Sequence, residues 1–322
     1  MDEKKVKKVL VLTTGGTMAG LATQPDQPLN YQAASLNGEA LMATLGISPA
    51  GLIVHEIAQI DSKDMDEVVW RRLLKAVDDG LNDLNIEGIV ITHGSDTAEE
   101  TAYLLHAVFK ANKPLVLTCA MRPANALDSD GARNLHDAIS VAKDANWAGV
   151  CLVCAGEIHA AQEVFKAHST RLNAFSSGEQ GPIGRVSLQC IERLRDVEDG
   201  HATKDSGQQA PLLQTLLDSQ AWPRVEVVFN HAQADGRLVR AVLAHEKPDG
   251  ILVAGTGNGT MSQGLRDALK TAQTQGVQVV LTSRCAQGGV IAVGDNAFES
   301  LGPLSWPQAR VALVLRLMQA RA

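Results

Sequence analysis

Two short segments gather the residue types that acyl transfer needs. Thr13-Thr14-Gly15-Gly16-Thr17-Met18-Ala19-Gly20 and His93-Gly94-Ser95-Asp96-Thr97-Ala98-Glu99-Glu100-Thr101 each follow an apolar, β-like run, Val9-Leu10-Val11-Leu12 and Gly88-Ile89-Val90-Ile91. In an open α/β sheet the carboxyl ends of the strands line one crevice, so residues far apart in sequence meet there. Thr17 and Ser95 then present two hydroxyls to one pocket, with the Asp96 carboxylate beside them. A hydroxyl is a weak nucleophile that needs a neighbouring base or proton relay, and backbone N–H groups in such turns suit a developing oxyanion. Nucleotide binding fits less well. The glycines after the first run lack GxGxxG spacing, and about 20 residues on stands Gln32-Ala33-Ala34 rather than an acidic residue. Gly255-Thr256-Gly257-Asn258-Gly259-Thr260 lacks the lysine of a phosphate-binding loop.

Nearby residues add to this chemistry or compete with it. The stretch between Gly20 and Tyr31 has no periodicity and contains Pro25 and Pro28, which predicts a loop of the kind that covers active sites. Tyr31, one of two tyrosines, could orient or deprotonate a hydroxyl, or could merely pack with its tip wet. His93 invites a Ser-His-Asp triad, but adjacent strand positions face opposite ways, so a structural histidine is expected. The other histidines show no HExxH or paired ligand spacing, and no metal is expected. Cys151-Leu152-Val153-Cys154 matches CxxC but lies inside an apolar run, where core thiols are the expectation. An odd total of five cysteines suits reduced thiols.

The elements that must hold these residues alternate strand and helix, the pattern of βαβ units and a mostly parallel sheet. Strands are expected at 6–13, 52–58, 88–93, 114–119 and 149–155, and helices at 38–45, 66–82, 98–111 and 131–145. In the second helix Val69, Leu73, Val77 and Leu81 recur at four-residue spacing, with Asp64 or Ser62 available as its cap. Asp128-Ser129-Asp130-Gly131 is expected to cap the fourth. From 191 to 209 the composition turns polar, which predicts a large catalytic α/β domain over 1–191, a linker over 192–211 and a smaller α/β domain over 212–322. The smaller domain should have strands at 224–229, 250–255 and 278–283 and helices at 235–246, 260–275 and 307–320.

Composition bounds the rest. Of 322 residues 45% are hydrophobic, enough for a real core, and the formal charge of −7 argues against nucleic-acid or anionic-membrane partners. No apolar run approaches the roughly 20 residues that span a bilayer. Met1-Asp2-Glu3-Lys4-Lys5-Val6 passes into the first strand without an apolar leader core, so the cytoplasm is the expected compartment.

At these residues the sequence closely resembles the bacterial-type L-asparaginase and glutaminase-asparaginase family. The resemblance runs from the first strand to the terminal helix. It is carried by Thr-Gly-Gly-Thr with Ala-Gly at 14–20, by His-Gly-Ser-Asp-Thr with Glu-Glu-Thr at 93–101, and by Met121-Arg122-Pro123, Ser129-Asp130-Gly131 and Asn134-Leu135. It implies a flavodoxin-like large domain and hydrolysis of L-asparagine to aspartate and ammonia, with no metal and no cofactor. The partner is a small amino-acid amide. A homo-oligomer, dimer or tetramer, is implied, with sites formed between the domains of neighbouring subunits. Carried over residue by residue, the active-site threonine falls on Thr17, the tyrosine on Tyr31 and the substrate-carboxylate serine on Ser62. The second hydroxyl falls on Ser95, the aspartate that grips the α-amino group on Asp96, and the catalytic lysine on Lys166. Three departures bear on selectivity. Lys63 stands where glutamine is usual and could pair with the substrate carboxylate, Thr260 replaces an asparagine, and Asp295 is the nearest counterpart of an acidic residue. A mixed glutaminase-asparaginase, or a non-catalytic amino-acid-binding protein of the same fold, is the alternative.

Overall fold

The computed structural model describes residues 7–187, 190–197, 209–291 and 298–321. The chain divides into two units, Met1–Lys204 and Asp205–Ala322. The first opens with β1 (Lys8–Gly15), buried from Val9 onward. A hairpin of β2 (Leu21–Ala22) and β3 (Tyr31–Gln32) follows, then α1 (Gly38–Thr44), β4 (Leu52–Ile60), α2 (Glu67–Asn82) and β5 (Ile86–Thr92). Next come α3 (Ala98–Val108), β6 (Pro114–Thr118), α4 (Gly131–Ala142) and β7 (Gly149–Cys154). Short strands close the unit: β8 (Glu157–Ala160), β9 (Phe165–Lys166), β10 (Phe175–Ser176), β11 (Gly184–Val186) and β12 (Ile191–Arg193).

Eight of these strands form one sheet in the order β12-β11-β8-β7-β6-β5-β1-β4. The five from β4 to β7 are mutually parallel, and β8, β11 and β12 add on antiparallel. The chain runs from β1 out to β4 at the edge, then returns to β5 on the other side of β1. That reversal makes the carboxyl ends of β1 and β5 the switch point, where an open α/β sheet leaves a crevice.

Helices cover both faces, which is why the central strands are continuous apolar runs rather than alternating ones. Val9, Val11, Val90 and Val116 pack on one face with Leu135 and Ala138 of α4 and Leu41 of α1. On the other face α2 lies so close that a Cβ on its Gly80 would sit 2.7 Å from Leu10 and 2.9 Å from Ile89. The α2 cap is Asp66, whose carboxylate takes the N–H of Val68 and Val69 at 3.0 and 2.9 Å, so neither Asp64 nor Ser62 serves there. At the start of α4 the Asp130 carboxylate makes no cap bond, because it is turned to the loop after β6.

The segment expected as a linker from 192 begins inside the large sheet, since β12 pairs with β11 through Arg193. It also ends inside a helix, α5 (Gln209–Asp218). The second unit continues with β13 (Val225–Phe229), α6 (Arg237–His245), β14 (Gly250–Gly255), α7 (Gln263–Thr274), β15 (Gln278–Ser283), β16 (Glu299–Ser300) and α8 (Trp306–Gln319). Its four strands are parallel and in sequence order. Val228, Val239, Ile251, Val253, Leu265 and Leu269 form its core. Among the described residues no helix is long and apolar enough to cross a membrane.

Candidate active site

Three turns meet at the switch point, and glycine is what lets them. Gly16, at φ 74° and ψ −167°, has a conformation open essentially to glycine alone. A Cβ there would lie 2.4 Å from Gly94 Cα, and one on Gly94 would lie 2.4 Å from Ser62 Oγ. The turns after β1 and β5 are therefore in backbone contact, and the Ser62 side chain from the turn after β4 packs on the second. Thr17 and Ser95 each come one residue after a touching glycine, so their separation is set by main chain rather than by flexible side chains.

Thr17 opens a 3₁₀ turn and is buried. Its Oγ1 lies 2.8 Å from the hydroxyl of Tyr31, a hydrogen bond either oxygen can donate. Tyr31 is placed by the β2–β3 hairpin, where Ala22 pairs with Tyr31. Asn125 holds that hairpin by accepting from the Ala22 N–H at 2.7 Å and donating to its carbonyl at 2.9 Å. The proline-containing stretch is thus a pinned hairpin with Tyr31 at its returning strand.

Lys166 joins the second hydroxyl to the carboxylate. Its Nζ donates to Ser95 Oγ at 2.8 Å and to Asp96 Oδ1 at 2.6 Å. Its side chain is only 15% exposed, whereas that of Asp96 is 55% exposed and open to a ligand. The Asp96 N–H is spent on Ser62 Oγ at 3.2 Å, and Thr97 Oγ1 donates to the Ser62 carbonyl at 2.8 Å. That leaves the proton of the Ser62 hydroxyl for another acceptor.

His93 is structural, as expected. Its Nδ1 lies 2.7 Å from the Gly94 carbonyl, which can only accept, so Nδ1 carries the proton. Nε2 then accepts from Thr101 Oγ1 at 3.0 Å, and that oxygen accepts from Trp70 Nε1 at 2.9 Å. Burial pushes the ring down to about 4, keeping it neutral at pH 7. Cys151 and Cys154 are buried on β7, three positions apart and hence on opposite faces. Among the described residues no group of three His, Cys, Asp or Glu side chains could hold a metal ion.

Asp130, expected as part of a helix cap, serves the loop after β6 instead. Asp130 accepts from the N–H of Met121 and Arg122 at 3.0 Å each and from Asn134 Nδ2 at 3.0 Å. Burial lifts this carboxyl above its ordinary range against the pull of those donors. Lys63, by contrast, is not brought to Ser95, Asp96 or Lys166. Its side chain is 62% exposed, and its ammonium pairs with Asp61 at 2.7 Å and Asp64 at 3.4 Å, because the two acids of its own turn flank it. Thr260 lies in the second unit, where its hydroxyl donates to the Thr256 carbonyl at 2.9 Å. Asp295 lies outside the described residues.

Comparison with known proteins bears on the family and the fold. Residues 8–197 match the family profile "Asparaginase, N-terminal", and residues 224–321 match "Glutaminase/Asparaginase C-terminal domain". The chain is 33% identical over 322 residues to L-asparaginase 2 of Escherichia coli, covering 97% of this chain and 89% of that one. It is 34% identical over 293 residues to the glutaminase-asparaginase of Pseudomonas fluorescens biotype A, covering 89% and 78%. The crystal structure of a probable cytoplasmic L-asparaginase from Campylobacter jejuni superposes with a TM-score of 0.86 at 31% identity, covering 97% of this chain and 95% of that one.

Proposed function

The chain belongs to the asparaginase family, and on that premise we propose that it hydrolyses the side-chain amide of L-asparagine to L-aspartate and ammonia, with Thr17 as nucleophile. Thr17 Oγ1 attacks the amide carbon while its proton passes to the Tyr31 oxygen 2.8 Å away as the phenol releases its own. That proton goes on to the departing nitrogen, which leaves as ammonia, and the β-aspartyl group remains as an ester on Thr17. In the second half water attacks the ester. Ser95, whose oxygen is fixed by Lys166, relays the water's proton so that Thr17 recovers its own. No metal or cofactor takes part in either half.

The substrate's ends match the remaining groups. The exposed oxygen of Asp96 pairs with the α-ammonium, and the free proton of the Ser62 hydroxyl reaches the α-carboxylate. The observation that carries the reading is the Lys166 bridge between Ser95 and Asp96, one glycine contact away from the Thr17–Tyr31 pair. A protein that only bound an amino acid would need Asp96 and Ser62 but no hydroxyl–lysine relay. We place the protein in the cytoplasm because its five cysteines are free thiols, three of them buried. A homo-oligomer is proposed on family membership, and sedimentation at assay concentration tests it.

Ammonia release from asparagine and from glutamine, measured side by side, tests the function. Release from asparagine should dominate, and Thr17→Ala should lose orders of magnitude in kcat. Near-normal turnover by that variant would remove Thr17 as nucleophile. No release from either amide would leave a binding protein.

A further inference from the structure

Both halves of the site hang on one loop, the one that Met121-Arg122-Pro123 opens after β6. Arg122 precedes Pro123, whose ring biases the residue before it toward extended backbone. The main-chain N–H groups of Met121 and Arg122 are both taken up by the Asp130 carboxylate. From that fixed root the Arg122 side chain, 16% exposed, reaches to another loop. Its Nε donates to Asp128 Oδ2 at 2.8 Å, which aims the planar guanidinium, and Nη1 donates to the Thr170 carbonyl at 2.9 Å. Thr170 lies in the loop that joins β9 to β10, four residues after Lys166. That ribbon pairs two residues with two and belongs to neither the eight-stranded nor the four-stranded sheet. A cavity of about 610 Å³ lined by residues 26–30, Arg122 and Thr170 borders the loop, so on that side the guanidinium is what meets it. Further along, the loop after β6 grips the Tyr31 hairpin, through Asn125 on the main chain of Ala22 and through the Ala124 N–H on the Gly20 carbonyl at 2.9 Å.

We propose that Arg122 is a positioning residue for Lys166: its guanidinium ties the β9–β10 loop to the loop after β6, and so fixes the backbone from which Nζ reaches Ser95 and Asp96. This rests on the reading of Ser95 and Lys166 as the relay of the second half. A lysine ammonium sits at the end of a flexible four-carbon stem, so its contacts of 2.8 and 2.6 Å need a backbone that does not drift. A two-stranded ribbon gives little stiffness of its own. Arginine suits the task because its N–H donors form a rigid fork that is charged at every working pH. One side chain thereby holds a carboxylate and a carbonyl on two different loops. The two grips divide the reaction between them. Arg122 serves Lys166 and the removal of the acyl group, whereas Asn125 serves Tyr31 and its formation.

Arg122→Met keeps the apolar stem and removes both hydrogen bonds. Misplacing a reacting group by about 1 Å costs roughly a hundredfold in rate, so the second half should slow by about ten- to a hundredfold. Because kcat/KM reports only the steps up to ammonia departure, kcat and KM should fall together and leave their ratio near wild type. A β-aspartyl group should then accumulate on the peptide containing Thr17 during turnover. Asn125→Ala should do the reverse, lowering kcat/KM with no adduct. Labelling of Lys166 by an amine-directed acylating reagent, read by peptide mass, reports the untethering without turnover and should speed up severalfold in Arg122→Met. Lys113, whose ammonium is held by the Gly80 and Asp83 carbonyls, is the internal reference and should label at the wild-type rate. If Arg122→Met does not fold, Asp128→Ala takes its place, since it removes the partner that aims the guanidinium from a side chain that is 51% exposed. It should shift kcat and Lys166 labelling in the same direction. Unchanged kcat and unchanged Lys166 labelling would overturn the proposal. So would a fall in kcat/KM without an adduct, or Lys113 labelling that rises in step with Lys166, since both mark general loosening. A wild-type protein that releases no ammonia would instead sink the functional reading, and the labelling arm would still decide on Arg122.

Discussion

Gly16→Ala should disable the enzyme while leaving it folded. At φ 74° and ψ −167° an alanine is strained by about 1–3 kcal/mol. Its Cβ would also stand 2.4 Å from Gly94 Cα and 2.6 Å from Gly94 N, against an ordinary contact of 3.4–4 Å. Both neighbours are main chain and cannot rotate aside, so the turns after β1 and β5 must part by about 1 Å to restore normal contact distances. Thr17 rides on one turn and Ser95 on the other. Misplacement of that size costs roughly a hundredfold in rate, whereas 1–3 kcal/mol is survivable for a domain stabilised by about 5–15 kcal/mol. The control is Gly46→Ala, at φ 66° just past α1, where nothing lies within 4 Å of the added carbon. It should cost about 1 kcal/mol of stability through its left-handed backbone and leave kcat untouched. Steady-state ammonia release and urea midpoints on both variants suffice. If Gly16→Ala kept kcat within a few-fold of wild type, the glycine contact would not be what sets the distance between the two hydroxyls.

Acid should destabilise the fold through two buried histidines. His93 and His159 are each held near 4, against an ordinary value of 6.5, by burial. The unfolded chain takes up their protons first, so stability is level above about pH 6.5 and falls by up to roughly 3 kcal/mol per histidine as pH drops to 4. Glu99, raised to about 7 from 4.5, acts with the opposite sign, and its share is lost as pH rises between those values. Urea midpoints from pH 4 to 8 check the balance, and a flat midpoint from 6.5 to 4.5 would count against neutral buried imidazoles. Lys63→Gln should leave the asparagine-to-glutamine ratio of kcat/KM unchanged, because Asp61 and Asp64 already hold that ammonium; a shifted ratio would restore a selectivity role. EDTA should not alter ammonia release, and loss on chelation reversed by a divalent ion would refute hydrolysis by hydroxyls alone.

The parallel half of the large sheet was legible because strands buried on both faces read as unbroken apolar runs, as at Leu10–Leu12 and Ile89–Ile91. The short strands β8 to β12 were not, since two to four residues carry no usable periodicity. Helix starts were misassigned where several acids compete. Asp66 caps α2 because it stands directly before the first helical residue, and Asp130 declines to cap because Met121 and Arg122 offer it better donors. At the site, Thr17 and Ser95 were readable from strand-to-turn position alone. Lys166 was not, because an isolated lysine in an irregular stretch looks like any solvated charge; only the family resemblance singled it out. Lys63 shows the opposite case. Its position in sequence suggested a ligand, but its charge is consumed locally by two carboxylates.

The central claim is that Thr17 carries the acyl group while Ser95 serves its removal. Mixing Ser95→Ala with asparagine and quenching with acid should trap the enzyme part-way, since the first half of the reaction uses Thr17 and Tyr31 and the second half is crippled. Intact-mass and peptide analysis should find one β-aspartyl group per chain, on the peptide that contains Thr17, with one equivalent of ammonia released in a burst. The double variant with Thr17→Ala should show neither. A burst without an adduct, or an adduct on another residue, would contradict the account.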